Sequence, residues 1–331
     1  MQAEQSNQNP SLPRASAASA NQAVPEAYRY PDYVISTLNR FIEQLDYVSE
    51  ALVKADDRVL QEIRHEFLEF DNGAWFDATC SVSANLAVLP YPMHSHESKL
   101  MVARFTWFLL YVDDIGKRDR GTLEGLQKAL VGSTTDEGFA QRFRGHMLDW
   151  YKHWDPLPAN CINLAGLDMI NGWLLEETQS VQEMNLMPAG QSFANYLRTK
   201  TGGGSCFAFM LFPKEFDIDI SVYIQVMDDL TLFNNYANDI FSFYKEELQG
   251  ETNNYMHNRA FLTGKHVAIT FQEIFDETVA AYERITSLLE NTKAAPIWKR
   301  FVNGYLAFHL NVPRYRLREI GLKIRGLDND F

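Results

Sequence analysis

The sequence predicts an all-α fold in a single domain. Apolar positions recur every three to four residues from Tyr30 almost to the end, sustained two-residue alternation is almost absent, and the breaks between periodic stretches are short. Val34, Ile35, Leu38, Phe41, Ile42, Leu45 and Val48 mark a first amphipathic helix. Further helical patterns fall near 58–70, 73–88, 97–116, 121–131, 136–153, 160–185, 191–200, 218–250, 253–263, 267–292 and 295–324. They are separated by LPYPMHSH (89–96), DPLPAN (155–160), GGG (202–204) and KAAP (293–296), none of which resembles an interdomain linker. No internal repeat of fixed period interrupts the pattern, so residues 27–331 read as one domain of ten or more helices.

Residues 1–26 read differently. They are polar, rich in Ser, Ala, Asn and Gln, and lack the apolar core of a secretory signal. The expectation is a disordered tail; the alternative is a segment that folds over a closed active site.

Composition narrows the partners. Of 331 residues 46% are hydrophobic, enough for a sizeable core, and the net charge is -13. That balance argues against a broad nucleic-acid or anionic-lipid surface but leaves room for one basic pocket. No run of 18 apolar residues predicts a membrane span. Cys80, Cys161 and Cys206 are odd in number and widely spaced, which fits a reducing, cytoplasmic setting better than a disulfide framework or a zinc site.

The chemistry-bearing residues lie inside this helical pattern. The stretch 97–116 contains LMVARFTWFLLYVDD, apolar on nearly every side, which predicts a helix central to the fold. It ends in Asp113 and Asp114, where the negative end of the helix dipole disfavours acids, and a bound cation would compensate. The plain alternative is that Asp114 opens the next turn. A second set lies in NDIFSFYKE (238–246), where Asn238, Ser242 and Glu246 step by four and form one stripe of oxygen-bearing side chains. One carboxylate with two neutral oxygens suits Mg²⁺ completed by water and phosphate oxygens. Lys245 beside them suits a phosphate. The competing reading is a solvated helix face with a Lys–Glu pair, which the flanking Phe241, Phe243 and Tyr244 disfavour.

Two basic stretches join these acids. PRYRLREI (313–320) clusters Arg314, Arg316 and Arg318 with Tyr315, and Arg198 and Lys200 precede the triple glycine. Arg suits bidentate phosphate binding and a Tyr hydroxyl adds a donor; a charged surface helix and a basic C-terminal turn are the ordinary alternatives. Together, two metal-type sites, scattered cations and many aromatics form one coherent chemistry. Three Mg²⁺ ions with Arg and Lys would hold a diphosphate while an allylic carbocation forms in a dry aromatic cavity.

These residues resemble the class I terpene cyclases, and NDIFSFYKE is similar to that family's N-D-x-x-S-x-x-K-E metal motif. FTWFLLYVDD, the YLR…PKE stretch (196–215) and GYLAFHL…RYRLREI (304–320) look most like the fungal trichodiene synthase branch. The resemblance implies a helical barrel enclosing the active site. It implies a sesquiterpene synthase that ionises farnesyl diphosphate, with a homodimer as the family's expectation. By resemblance, Asp113 bridges two Mg²⁺ ions and Asn238, Ser242 and Glu246 hold a third. Arg198 senses the diphosphate, while Lys245, Arg314 and Tyr315 hydrogen-bond it. Asp114 and Asp239 orient the basic groups.

The aspartate motif departs from the family's D-D-x-x-D. It reads DDIGK, with Lys117 in the last position and Asp119 two residues later. The expected cavity aromatics are Trp75, Phe76, Phe105, Phe108, Tyr111, Trp173, Phe207, Phe233 and Tyr236. Alternatives are a cyclase of a shorter or longer prenyl diphosphate, or an inactive helical binding protein, for which Lys117 is the support. A chain-elongating prenyltransferase would carry a second aspartate-rich motif where the NDIFSFYKE stretch stands.

Overall fold

A computed structural model of the chain describes residues 30–49, 57–70, 73–118, 120–132 and 138–322, with backbone alone for 115–118. The tail expected over 1–26, the side chain of Lys117, and Asp119 lie outside the described residues. The helices are α1 (Asp32–Gln44), α2 (Asp57–Phe67), α3 (Ala74–Val88), α4 (His96–Arg118), α5 (Arg120–Val131), α6 (Phe139–His153) and α7 (Pro156–Glu176). They continue as α8 (Gln179–Gln182), α9 (Ser192–Thr201), α10 (Gly204–Phe209), α11 (Met227–Gln249), α12 (Tyr255–Thr263), α13 (Val267–Leu289) and α14 (Ala295–Asn311). The described residues contain no strand, and no described helix is long and apolar enough to cross a membrane.

The packing order makes a ring. α3 lies against α4, α4 against α7, α7 against α10, α10 against α11, α11 against α14, and α14 against α3 again. The apolar α4 is central, as its composition predicts. It also packs on α2, α5 and α6, and buries Leu100 to Ala103, Phe105 to Leu109, and Val112. The other helices support this ring from outside: α13 lies along α11, and α1 rests on both.

Three segments differ from the periodicity reading. The stretch 160–185 begins earlier, with Pro at the first turn of α7, and stops at Glu176. The stretch 218–250 opens with two 3₁₀ turns, Ile220–Val222 and Ile224–Val226, before α11 begins at Met227. There Asp219 takes the Ser221 backbone N–H at 2.9 Å, a local bond that competes with helix, and Tyr223 stacks on Phe212. The pattern 295–324 breaks at Asn311 because Pro313 lacks an N–H and pushes Val312 into extended backbone. The chain then makes two 3₁₀ turns, Pro313–Tyr315 and Leu317–Ile320, joined by Arg316 in the left-handed region (φ 59°).

The triple glycine breaks the helix as expected, and the structure shows why all three are small. Gly203 turns with φ 64°. A Cβ on Gly202 would sit 2.2 Å from Asn235 Oδ1, and one on Gly204 would sit 2.5 Å from the Thr231 carbonyl. The break therefore lets α9 and α10 lie directly on α11, the helix that carries the oxygen stripe.

Candidate active site

Asp113 and Asp114 end the described side chains of α4, and both line a cavity of about 700 Å³. Its wall is mostly apolar, built from Val82, Leu89 and Leu110, with Val312 closing the far side. Trp75 lines it too, and its indole N–H donates to the Asp114 carboxylate. Asp114 is thus held by a neutral donor among the described residues, where a basic partner was expected. Arg314 and Arg318 enter the same cavity from the turn after α14. Two carboxylates and two guanidinium groups therefore share one largely apolar space.

The stripe on α11 contributes no residue to the lining of this cavity. Ser242 is buried, and Asn238 and Glu246 are half-buried. Among the described residues, Ser242 Oγ has only a long contact, 3.4 Å, to the Asp239 carbonyl. Glu246 accepts from Asn254 Nδ2 at 2.9 Å and has Lys245 Nζ 3.6 Å from its other oxygen. No trio of His, Cys, Asp or Glu suited to a metal occurs among the described residues. The stripe is of another kind, one carboxylate and two neutral oxygens along one face, and that donor chemistry fits Mg²⁺.

Arg198 reaches this stripe from the last turn of α9. Its Nε donates to Asp239 at 2.8 Å, and its Nη2 donates to the Asn235 carbonyl at 2.8 Å and, more loosely, to Asn238 Oδ1 at 3.4 Å. Burial works against the Arg198 charge, but the adjacent Asp239 carboxylate outweighs it and raises the pKa. Burial pushes the Asp239 carboxyl up to about 6 against the pull of Arg198. Asp239 thus holds the Arg198 guanidinium against α11.

The Pro313–Tyr315 turn joins the two parts. Arg314 projects into the cavity with Asp113, while the next residue, Tyr315, is buried and accepts from Asn238 Nδ2 at 3.2 Å. Burial pushes the Tyr315 hydroxyl up to about 12, so it remains a proton donor at neutral pH. Arg316, by contrast, pairs with Glu319 at 2.8 Å on the surface.

The aromatic candidates divide. Trp75 lines the cavity. Phe76 packs on Trp107, and Phe105 and Phe108 face α6, against Trp150 (5.6 Å) and Phe143 (4.7 Å). Tyr111 stacks between Trp107 and Phe139. At 100° per residue, Phe108 and Phe105 lie about 160° and 140° around α4 from the cavity-lining Leu110, so a helical wheel anchored on Leu110 places them outside. Phe233 packs on Trp298 and Tyr305, and Tyr236 stacks on Tyr255 with its hydroxyl 2.7 Å from that of Tyr255. Trp173 is buried in α7 and Phe207 half-buried in α10; neither lines this cavity.

Two residues beyond the predicted set touch the stripe. Asn254 caps α12, taking the His257 N–H at 3.0 Å while holding Glu246. His309 is fully buried and lies 3.2 Å from Asn238 Nδ2. An Asn opening a helical pattern is the local signal that could have found this cap, whereas its reach to Glu246 has no local signal.

Residues 13–330 match the family described as "Trichodiene synthase (TRI5)". Terpene synthase BipA of Cochliobolus sativus is 32% identical over 240 residues, covering 71% of this chain and 74% of that protein. Monoterpene synthase 25 of Postia placenta is 32% identical over 70% of this chain and 71% of its own length. A longiborneol synthase of Gibberella zeae is 28% identical over 86% of each chain. Among solved structures, the linalool/nerolidol synthase of Streptomyces clavuligerus in complex with 2-fluorogeranyl diphosphate superposes with a TM-score of 0.59 at 15% identity, covering 79% of this chain and 99% of that one. That likeness shows the helical fold shared with class I terpene synthases. With its ring of helices and a match spanning nearly its whole length, the chain belongs to the trichodiene synthase family of terpene synthases.

Proposed function

We propose that the protein is a Mg²⁺-dependent sesquiterpene cyclase acting on farnesyl diphosphate. The observation that carries this reading is the Pro313–Tyr315 turn, which puts Arg314 in the lining of the cavity that Asp113 also lines and Tyr315 against Asn238 of the stripe. Asp113 would hold Mg²⁺ on one side and Asn238, Ser242 and Glu246 on the other, three ions being expected with diphosphate bound. Bound Mg²⁺ supplies charge neutralisation of the departing diphosphate. Arg198, Lys245, Arg314 and Tyr315 supply cationic and hydroxyl donors for the same oxygens. The C–O bond breaks with its electron pair leaving on the diphosphate, and the allylic cation remains in the apolar part of the cavity. Val82, Leu89, Leu110 and Val312 exclude water there. Cyclisation ends by loss of a proton or by capture of water.

Relatives named for longiborneol, α-cuprenene and trichodiene support the fifteen-carbon substrate. A ten-carbon substrate is the second reading, favoured by the similarity to monoterpene synthase 25. Incubation with geranyl, farnesyl and geranylgeranyl diphosphates, each with and without Mg²⁺, followed by gas chromatography–mass spectrometry, separates them. A Mg²⁺-dependent cyclic fifteen-carbon product from farnesyl diphosphate is expected. Cyclic product from geranyl diphosphate alone would select the second reading, and no product from any would favour an inactive binding protein. Arg314→Lys replaces a planar fork with a point charge. The expected result is retained turnover with additional, prematurely released products; an unchanged product profile would remove Arg314 from the diphosphate site.

A further inference from the structure

The amide of Asn238 can serve as a metal ligand only when its oxygen, and not its nitrogen, faces the metal. Nothing in the sequence motif enforces that choice, because the two ends of an amide have nearly the same shape. The surroundings of Asn238 do enforce it. His309 Nδ1 lies 2.8 Å from the Tyr305 carbonyl, which can only accept, so Nδ1 carries the proton. The ring is fully buried, and among the described residues no carboxylate bonds to either nitrogen, so the neutral imidazole is the form that fits. Its Nε2 is therefore a bare acceptor, and it sits 3.2 Å from Asn238 Nδ2. A flipped amide would aim its oxygen at this lone pair and its NH₂ at the Arg198 guanidinium, which can only donate and now lies 3.4 Å from Oδ1.

We propose that His309 is a positioning residue, fixing the Asn238 amide with its oxygen turned away from the ring and available to Mg²⁺. The chain of polarity runs from the Tyr305 carbonyl through His309 Nδ1–H and Nε2 to the Asn238 NH₂. The Tyr315 hydroxyl, 3.2 Å from the same NH₂, can donate or accept and so cannot specify the orientation alone. The imidazole itself is held in place by rings: Phe241 stacks on it at 5.0 Å, and Tyr305 and Tyr315 pack at 4.5 and 4.6 Å. This inference rests on the reading of Asn238 as a Mg²⁺ ligand.

The test measures binding, not turnover. Inorganic diphosphate at a fixed concentration raises the melting temperature of the protein as Mg²⁺ is titrated, and the Mg²⁺ concentration at half-effect is recorded. His309→Phe keeps the ring and removes both nitrogens. The half-effect concentration is expected to rise about tenfold or more, the usual scale for partners that orient metal ligands. His309→Gln returns an oxygen to about the position of Nε2 and is expected to stay close to the parent. His309→Asn reaches only the Nδ1 position and is expected to behave like His309→Phe. The Gln and Asn pair stands alone if the Phe variant does not fold. A purely structural role for His309 would lower the starting melting temperature while leaving the half-effect concentration unchanged; that result, or equal values for Gln and Asn, overturns the proposal. If the parent protein itself shows no Mg²⁺-dependent rise, the metal reading fails and this inference falls with it.

Discussion

Asp113→Ala is expected to lower turnover of the prenyl diphosphate by at least about a hundredfold, with Asn238→Ala doing the same from the opposite side of the site. A metal that neutralises a departing diphosphate contributes several kcal/mol to the transition state, and each 1.36 kcal/mol or so is a factor of ten. Stability should not follow activity at Asp113. The residue is half-buried near the C-terminal end of α4, where the dipole is negative, so removing its charge is expected to change the melting temperature far less than it changes turnover. Steady-state turnover and thermal melts on the same preparation check both halves. Full activity in Asp113→Ala would remove it from the metal site, and a collapse in stability would mean that its role is structural.

Gly304→Ala is expected to give the largest loss of stability from a single methyl group. α14 passes so close to the end of α3 that a Cβ on Gly304 would lie 1.8 Å from the Leu89 carbonyl oxygen and 2.9 Å from Pro90 Cα. These are backbone atoms, so the clash cannot be relieved by a rotamer change, and α14 must move. The cost belongs at or above the upper end of the overpacking range, about 3 kcal/mol. Gly145→Ala is the control. It lies within α6 with nothing near the added carbon, and the gain in helix propensity is expected to make it neutral or stabilising by up to about 1 kcal/mol. Leu89 also lines the cavity, so any folded Gly304→Ala enzyme is expected to show an altered product distribution. Equal melting temperatures for the two variants would contradict the close approach that closes the ring of helices.

What the sequence carried was local. The helices, the central α4 and the break at the triple glycine were legible because a 3.6-residue period and glycine's missing side chain act over a few neighbouring residues. The oxygen stripe was legible for the same reason, since Asn238, Ser242 and Glu246 lie on one helix whose geometry fixes their spacing. The family resemblance rested on such short runs as well. Where local competition entered, the reading slipped: Asp219 and Pro313 diverted residues whose apolar spacing still looked helical.

The tertiary structure decided which distant groups meet. Trp75 and Asp114 are 39 positions apart, Arg198 and Asp239 are 41 apart, and Asn238 and Tyr315 are 77 apart. No periodicity connects them; they meet because α3 packs on α4, α9 on α11, and the turn after α14 on α11. The same packing turned Phe105 and Phe108 away from that cavity and into the layer between α4 and α6. It also set His309 against Asn238, a contact that depends on how closely α14 lies on α11. Spacing along one helix is fixed by backbone geometry, whereas contact between helices is fixed by how their side chains fill the space between them.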